Sequence, residues 1–154
     1  MDISPAKLEL LRHYAAKDAA AKGLRLPHLP DTAPKEEEVV ALARFMAGCQ
    51  AFLPDDWNGD NRKRNVAIRV FLEFSANELR DFGRKWLDKW LEKHGYNPWF
   101  KEWEEIIRSW PDEKIAEILL SSDEEATRQR ISMPFTTALD FETILKIKRS
   151  GVPI

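Results

Sequence analysis

The segment 56–61 (DWNGDN) contains side chains of the kind that bind cations. Its oxygen-bearing residues recur at alternate positions, as they do in the calcium loop of an EF-hand. The complete pattern fails, because Asn61 stands where that loop needs glycine and Ala67 stands where it needs a bidentate glutamate. The sequence therefore predicts no metal site here, and an acidic turn in contact with water instead.

The histidines and the single cysteine do not form a recognisable catalytic or metal-binding set. His13, His28 and His94 lie in different predicted elements, and none has a second ligand at metal-binding spacing. Cys49 falls within an apolar helical pattern, which favours a buried, unreactive thiol over a nucleophile. The sequence predicts neither a metal ion nor a thiol-based reaction.

Sequence motifs for cofactor binding and hydrolysis are also missing from the chain. There is no Gly-x-x-x-x-Gly-Lys or Gly-x-Gly-x-x-Gly loop for a phosphate, and no Gly-x-Ser-x-Gly nucleophile turn. We therefore predict no cofactor and no enzymatic activity. One alternative stays open: an enzyme whose helical site is assembled from distant residues, for example in a polar pocket near His28 or His94.

The segment 112–132 has the length pattern of a helix-turn-helix unit. A first helix over 112–120 and a second over 123–132 are separated by a short Ser-Ser turn. The second helix would present Arg128, Gln129 and Arg130, and arginine suits guanine while glutamine suits adenine. Against this hypothesis, acidic residues begin the second helix and the turn lacks glycine. Binding to nucleic acid is therefore the second hypothesis for function.

Basic residues recur along the helix that contains the first tryptophan pair. Such a row can follow a phosphate backbone while exposed aromatic rings stack on bases. An amphipathic helix also places charges opposite its apolar side, and three acidic residues interrupt this row. The basic residues are Arg80, Arg84, Lys85, Lys89 and Lys93.

Tryptophan is concentrated in the middle of the chain. Five of the six tryptophans fall between Trp86 and Trp110. Trp86 and Trp90 are four residues apart, as are Trp99 and Trp103, so each pair should lie on one face of a helix. The spacing predicts a tryptophan-rich helical hairpin, anchored in the core by default because each ring buries a large area.

Trp57 differs from the other tryptophans because it lies in a polar loop without apolar periodic neighbours. Arg62 and Arg64 follow it closely, and tryptophan and arginine are the residue types most enriched at binding hot spots. Trp57, Arg62 and Arg64 are therefore the candidate contacts with a protein partner, and burial of Trp57 against the protein's own surface is the alternative.

Caps and prolines divide the chain into helical segments. Ser4-Pro5 and Asn97-Pro98 are helix starts, and Ser75 with Glu78 has the form of a capping box, as does Ser122 with Glu125. Segment 24–34 contains three prolines and is typical of an extended connector, while segment 54–61 has the composition of a loop. The predicted helices cover residues 4–23, 35–53, 66–74, 75–95, 97–110, 111–120, 123–132 and 141–149.

The segment 66–74 (VAIRVFLEF) is ambiguous by periodicity. Its apolar residues alternate as in a strand, yet Val66, Val70 and Phe74 also fit one helix face. A strand needs a partner, and the only candidate segment, 131–139, contains Pro134. We predict a helix.

These elements predict an all-α fold with one domain over 1–154. We expect an irregular orthogonal bundle of six to seven helices around the tryptophan-rich hairpin. Residues 1–34 should form a loosely docked N-terminal helix plus a proline-rich connector, because the alanine-rich helix buries little area. Residues 35–154 should form the main bundle.

Composition sets the expected class of function. With 44% hydrophobic and 32% charged residues, the 154-residue chain is typical of a folded domain, and its net charge of −2 gives no global attraction to nucleic acid. One cysteine, no secretory signal and no long apolar run favour a cytoplasmic protein without a membrane partner. We predict a non-enzymatic cytoplasmic binding protein, an adaptor, regulator or assembly subunit, whose partner is another protein.

Overall fold

A computed structural model describes residues 3–50 and 58–154, with residues 50 and 58–62 described by their backbone alone. These ranges contain eight α-helices, one short 3-10 helix and no strand, which confirms the all-α prediction for them. The predicted count of six to seven helices was wrong, because all eight segments that the caps and prolines delimit form separate helices, including two short ones capped by Asp123 and Asp140. The helices are α1 (Pro5–Lys22), α2 (Lys35–Gln50), α3 (Asn58–Glu73), α4 (Ala76–His94), α5 (Pro98–Ser109), α6 (Asp112–Leu120), α7 (Glu124–Arg130) and α8 (Phe141–Ser150), with the 3-10 helix at Thr136–Ala138.

Helix α3 resolves the ambiguity of segment 66–74 in favour of a helix over 66–73. It packs against α2, α6, α7, α8 and the 3-10 helix, so it is covered on most sides. An apolar pattern without a clear period is what a helix buried all round should show. The loop prediction for 54–61 was wrong for residues 58–61, which form the first turn of α3; residues 54–57 lie outside the described residues.

A single apolar core joins the helices. It extends from Ile3 to Ile147, and its largest fully buried aromatic side chains are Trp103, Phe100 and Phe135. None of the helices in the described ranges is both long and apolar enough to cross a membrane.

Helix α1 is joined to the bundle by polar contacts as well as apolar ones. Lys7 donates from Nζ to two carbonyl oxygens at the C-terminal end of α3, both at 2.7 Å, which satisfies groups that a helix end leaves open. Asp18 forms a buried ion pair with Arg64 of α3 at 2.8 Å. Loose docking of residues 1–34 is a statement about their stability against local unfolding, which these contacts do not measure, so it stays a prediction. The side chains that α1 buries are Leu8, Leu11, Tyr14, Ala15, Asp18 and Ala19.

Three of the four predicted capped helix starts are confirmed, and one is shifted. The side chains of Ser4, Ser75 and Asn97 each accept a hydrogen bond from the first turn, and Ser75 and Glu78 complete a capping box. The capping box at Ser122 was wrong. Asp123 caps α7 instead, accepting from the Ala126 N–H at 2.7 Å, while the Ser122 hydroxyl donates to Asp18 Oδ1 at 2.9 Å.

Acid should destabilise the caps of α4 and α8. The Ser75 N–H donates to Glu78 and the Thr143 N–H to Asp140, and these bonds lower the pKa of both carboxyl groups below their ordinary values. A depressed folded-state pKa contributes stability above the unfolded-state pKa, and this stability is lost as pH falls through the folded-state value. We expect the thermal midpoint to fall between about pH 5 and pH 3, and to fall less in Glu78→Gln. Glu104 is an exposed glutamate outside the caps, so the thermal midpoint of Glu104→Gln should fall with pH as that of the wild type does. An equal fall of the midpoint in all three proteins would contradict the cap argument.

Candidate protein-binding groove

Two contacts fix α4 against α5. Gly83 leaves no room for a side chain, since a Cβ there would lie 2.5 Å from Cδ1 of Ile107 on α5. Arg80, on the preceding turn, donates to the carbonyl oxygens of Ile107 at 2.5 Å and Trp110 at 2.6 Å, and pairs with Asp112 at 2.7 Å. These carbonyl groups lie at the C-terminal end of α5, where no backbone N–H of the helix is available to donate to them. The two helices therefore present their aromatic side chains in a defined arrangement.

Three of the four tryptophans of α4 and α5 form one aromatic cluster. The rings of Trp86 and Trp90 are stacked, with centroids 5.3 Å apart and an interplanar angle of 18°. Trp99 of α5 meets Trp90 edge to face at 5.1 Å, and the His94 ring lies 4.1 Å from Trp90. Edge-to-face and offset stacked pairs are the favoured geometries of aromatic rings. Trp90 is thus the centre of the cluster.

This cluster forms one wall of an open cavity of about 520 Å³, which we call the tryptophan groove. Its opposite wall is the chain just after α7, where Met133 is buried and Ile131 is 62% exposed. Three half-buried tryptophans and one exposed isoleucine therefore face a single space large enough for a side chain of a partner. The groove is lined by Trp86, Trp90, Trp99, Arg128, Ile131, Ser132 and Met133.

The indole nitrogen of Trp90 is an unusual feature of this cluster. Nε1 is shielded from solvent and has no hydrogen-bond acceptor among the described residues. Buried polar groups in proteins are nearly always hydrogen-bonded, so an unsatisfied donor needs an explanation. The nearby Trp103 shows the ordinary case, because its Nε1 donates to the Gln129 carbonyl at 3.1 Å.

Charge differs between the two sides of the groove. On the α7 side, Arg128 pairs with Glu125 at 2.6 Å and with Glu102 at 2.7 Å. These hydrogen bonds raise the pKa of Arg128, and the guanidinium lowers the pKa of Glu125. The Lys63 ammonium also donates to the Ile131 carbonyl at 3.0 Å, so two cations face two carboxylates on this side. On the α4 side, Lys85, Lys89 and Lys93 are all exposed.

The structure corrects the predicted protein contact at Arg64. Arg64 is fully buried, so it is not available to a partner. It pairs with Asp18 at 2.8 Å and donates to the Leu120 carbonyl at 2.6 Å, which joins α3 to α1 and α6. Trp57 lies outside the described residues, as does the side chain of Arg62, and so do most of the side chains of the acidic segment 56–61.

The predicted recognition helix does not present its side chains as base readout requires. Arg130 is fully buried and donates to the carbonyl oxygens of Ile118 at 2.8 Å and Ser121 at 2.5 Å. Gln129 is also buried, at 3% exposure. Arg128 is exposed but engaged by its two glutamates. The short α7 packs Arg130 inward, because its guanidinium satisfies carbonyl groups at the C-terminal end of α6.

The basic row on α4 separates into residues with different roles. Arg80 is mostly buried and holds the end of α5, so it does not face a phosphate backbone. Arg84 and Lys85 are exposed, and Arg84 lies 3.6 Å from Asp81.

Other cavities also occur in the described part of the chain. One of about 380 Å³ lies between α6 and α7 beside Trp110, and one of about 400 Å³ lies between the connector with His28 and α2. In the first cavity Lys114 pairs with Glu117 at 3.0 Å, and in the second Arg12 pairs with Glu38. No group of three or more His, Cys, Asp or Glu side chains in the described ranges is placed to hold a metal ion.

The spacing of the tryptophans indicated α4 and α5 but not the groove. Its other wall was missed, because Ile131 and Met133 follow α7 without a periodic pattern. The sequence signal that could have indicated this wall is Pro134, because the helix must end before it and the residues just before the proline are then free to pack elsewhere.

The chain was compared with protein-family models, curated proteins and solved structures, and none of them matches it.

Proposed function

We propose that this protein is a non-enzymatic binding protein, an adaptor, regulator or assembly subunit, whose docking surface for another protein is the tryptophan groove. In this proposal α4 and α5 form the tryptophan-rich helical hairpin of an irregular orthogonal bundle, and the hairpin presents the groove. The partner inserts an apolar side chain between the tryptophans and Ile131.

The observation that supports this proposal best is the placement of Ile131. A β-branched apolar side chain that is 62% exposed, opposite three half-buried tryptophans, leaves apolar area that a partner can cover. Contiguous exposed apolar patches with a polar rim are typical of interaction sites. Tryptophan is among the residues that contribute most to binding energy, particularly in desolvated pockets.

The stacking within the cluster favours a protein partner over single-stranded nucleic acid. Single strands bind by stacking bases on exposed aromatic faces. One face of Trp90 lies against Trp86 and, since His94 is one turn further along α4, the other face lies against His94. Both faces of the central ring are therefore occupied, while the groove still accepts an aliphatic or aromatic side chain at its edges.

Replacing Ile131 with glutamate should weaken capture of the partner by roughly tenfold or more, because it puts a charge at the lip of an apolar groove. The measurement is quantitative mass spectrometry of proteins retained by immobilised wild type and variant. Phe141→Glu is the matched control, since Phe141 is 70% exposed on α8 and does not line the groove.

A protein retained by wild type and Phe141→Glu but lost from Ile131→Glu supports the proposal. Equal retention by all three proteins, with matched circular dichroism, would contradict it. Retention of nucleic acid that falls steeply between about 50 and 200 mM salt would instead favour the nucleic-acid hypothesis.

A further inference from the structure

We infer that the occupant of the tryptophan groove is an acidic peptide segment of the partner, with one apolar anchor residue and carboxylates on one side of it. This inference rests on the proposed function and names the chemistry of its partner. It is based on the lysines Lys85, Lys89 and Lys93, which we call the lysine rim.

The lysine rim follows the edge of the groove along α4. Its members are one helical turn apart, so they lie on one side of the helix. Lys89 comes three residues after Trp86, and Lys93 three residues after Trp90, and residues at this spacing are neighbours on a helix surface. At about 3.6 residues per turn, the rim lies directly beside the two tryptophans.

The charge of the lysine rim is not balanced from within the described part of the protein. None of its ammonium groups forms an ion pair there, although nine ion pairs occur in the same ranges. The acidic residues Asp81, Asp88 and Glu92 lie on the far side of the rim from the tryptophans, by the same helical rotation. A ligand in the groove therefore meets ammonium groups before it meets those carboxylates.

The opposite side of the groove sets the direction of the ligand. Arg128 is already bound by Glu125 and Glu102, and the Lys63 ammonium donates to the Ile131 carbonyl at 3.0 Å, so two cations face two carboxylates on that side. A carboxylate in the groove is attracted by the lysine rim and meets no net charge on the α7 side, and complementary potentials of this kind determine which partner and which orientation are accepted. A basic peptide would meet repulsion from the lysines next to the apolar pocket.

The test is selection of peptides from a random display library on the immobilised full chain. We expect the selected peptides to combine an aromatic or aliphatic residue with two or more Asp or Glu residues. The triple variant Lys85→Glu, Lys89→Glu and Lys93→Glu should bind these peptides roughly tenfold or more weakly by fluorescence anisotropy. Selection on that variant should enrich Lys and Arg instead. The control variant is Arg25→Glu, Lys146→Glu and Lys148→Glu, three exposed residues away from the groove that change the net charge equally.

Failure of this inference can be distinguished from failure of the proposed function. Peptides that need Ile131 but show no acidic enrichment would overturn the inference and leave the groove as the docking site. Peptides whose binding is unaffected by both Ile131→Glu and the lysine-rim variant would overturn both. Displacement of the acidic peptides by a labelled single-stranded oligonucleotide of equal affinity would assign the lysine rim to phosphate, and would overturn the inference as well.

Discussion

Replacing Arg64 with methionine should lower the free energy of unfolding by about 3–5 kcal/mol. The guanidinium is fully buried and lies 2.8 Å from a carboxylate of Asp18 that is itself 3% exposed. Removing one partner leaves the other charge in a site without water, which costs far more than the pair contributes as a unit. The substitution also leaves the Leu120 carbonyl without the donor that now lies at 2.6 Å.

Urea unfolding followed by circular dichroism measures this effect. Arg84→Met is the matched control, because the Arg84 side chain is 62% exposed and its ion pair with Asp81 is long, at 3.6 Å, and lies in solvent. This substitution should change the free energy of unfolding by less than about 0.5 kcal/mol. Asp18→Leu combined with Arg64→Met should cost less than the sum of the single changes, because the double variant leaves no uncompensated charge, whereas each single variant leaves one. A loss below about 1 kcal/mol for Arg64→Met alone would contradict the buried pair.

Replacing Trp103 with alanine should also cost about 3–5 kcal/mol. Its side chain is fully buried, meets Phe135 edge to face at 5.4 Å and donates to the Gln129 carbonyl at 3.1 Å. The substitution therefore removes apolar area, opens a cavity and releases a hydrogen bond to α7. Because α7 leads directly to Ile131, binding at the tryptophan groove should weaken together with the fold.

Trp86→Ala is the control that distinguishes the loss of a tryptophan in the groove from the loss of one in the core. Trp86 is half-buried and lines the groove, so its removal should cost at most about half as much stability. Trp86→Ala should nonetheless weaken peptide binding strongly. Equal losses of stability for Trp86→Ala and Trp103→Ala would contradict the assignment of one ring to the groove and the other to the core.

The positions of the helices followed from local signals in the sequence. Side chains that cap a helix act within four residues, so Ser4, Ser75 and Asn97 could be recognised from their neighbours alone. The cap of α7 was misplaced because Ser122 and Asp123 are both good caps. The choice between them depended on a distant residue, since Asp18 engages the Ser122 hydroxyl.

The roles of the arginines did not follow from the sequence. Arg64 lies in a run of charged residues (NRKRN), which is typical of an exposed face. Its burial depends on a carboxylate 46 residues earlier and on the end of α6, and neither is visible in a local pattern. Arg130 was misassigned for the same reason, because its acceptors are carbonyl groups at the end of α6.

The spacing of the tryptophans predicted the helices that contain them but not the burial of each ring. Four-residue pairs predicted helices with aromatic faces, and α4 and α5 have them. Spacing gave no means of telling Trp103, which is fully buried, from Trp99, which is half-buried at the groove. That difference arises from the packing of α7 and its following residues over α5.

The central claim is that a partner binds in the tryptophan groove. The most direct measurement is ¹⁹F NMR of the full chain labelled with 5-fluorotryptophan, titrated with the tightest peptide from the display selection. Trp→Phe variants assign the six resonances. We predict that the signals of Trp86, Trp90 and Trp99 shift while that of Trp103 does not. Shifts confined to Trp110, which lines the separate cavity between α6 and α7, or to Trp57 would contradict the account.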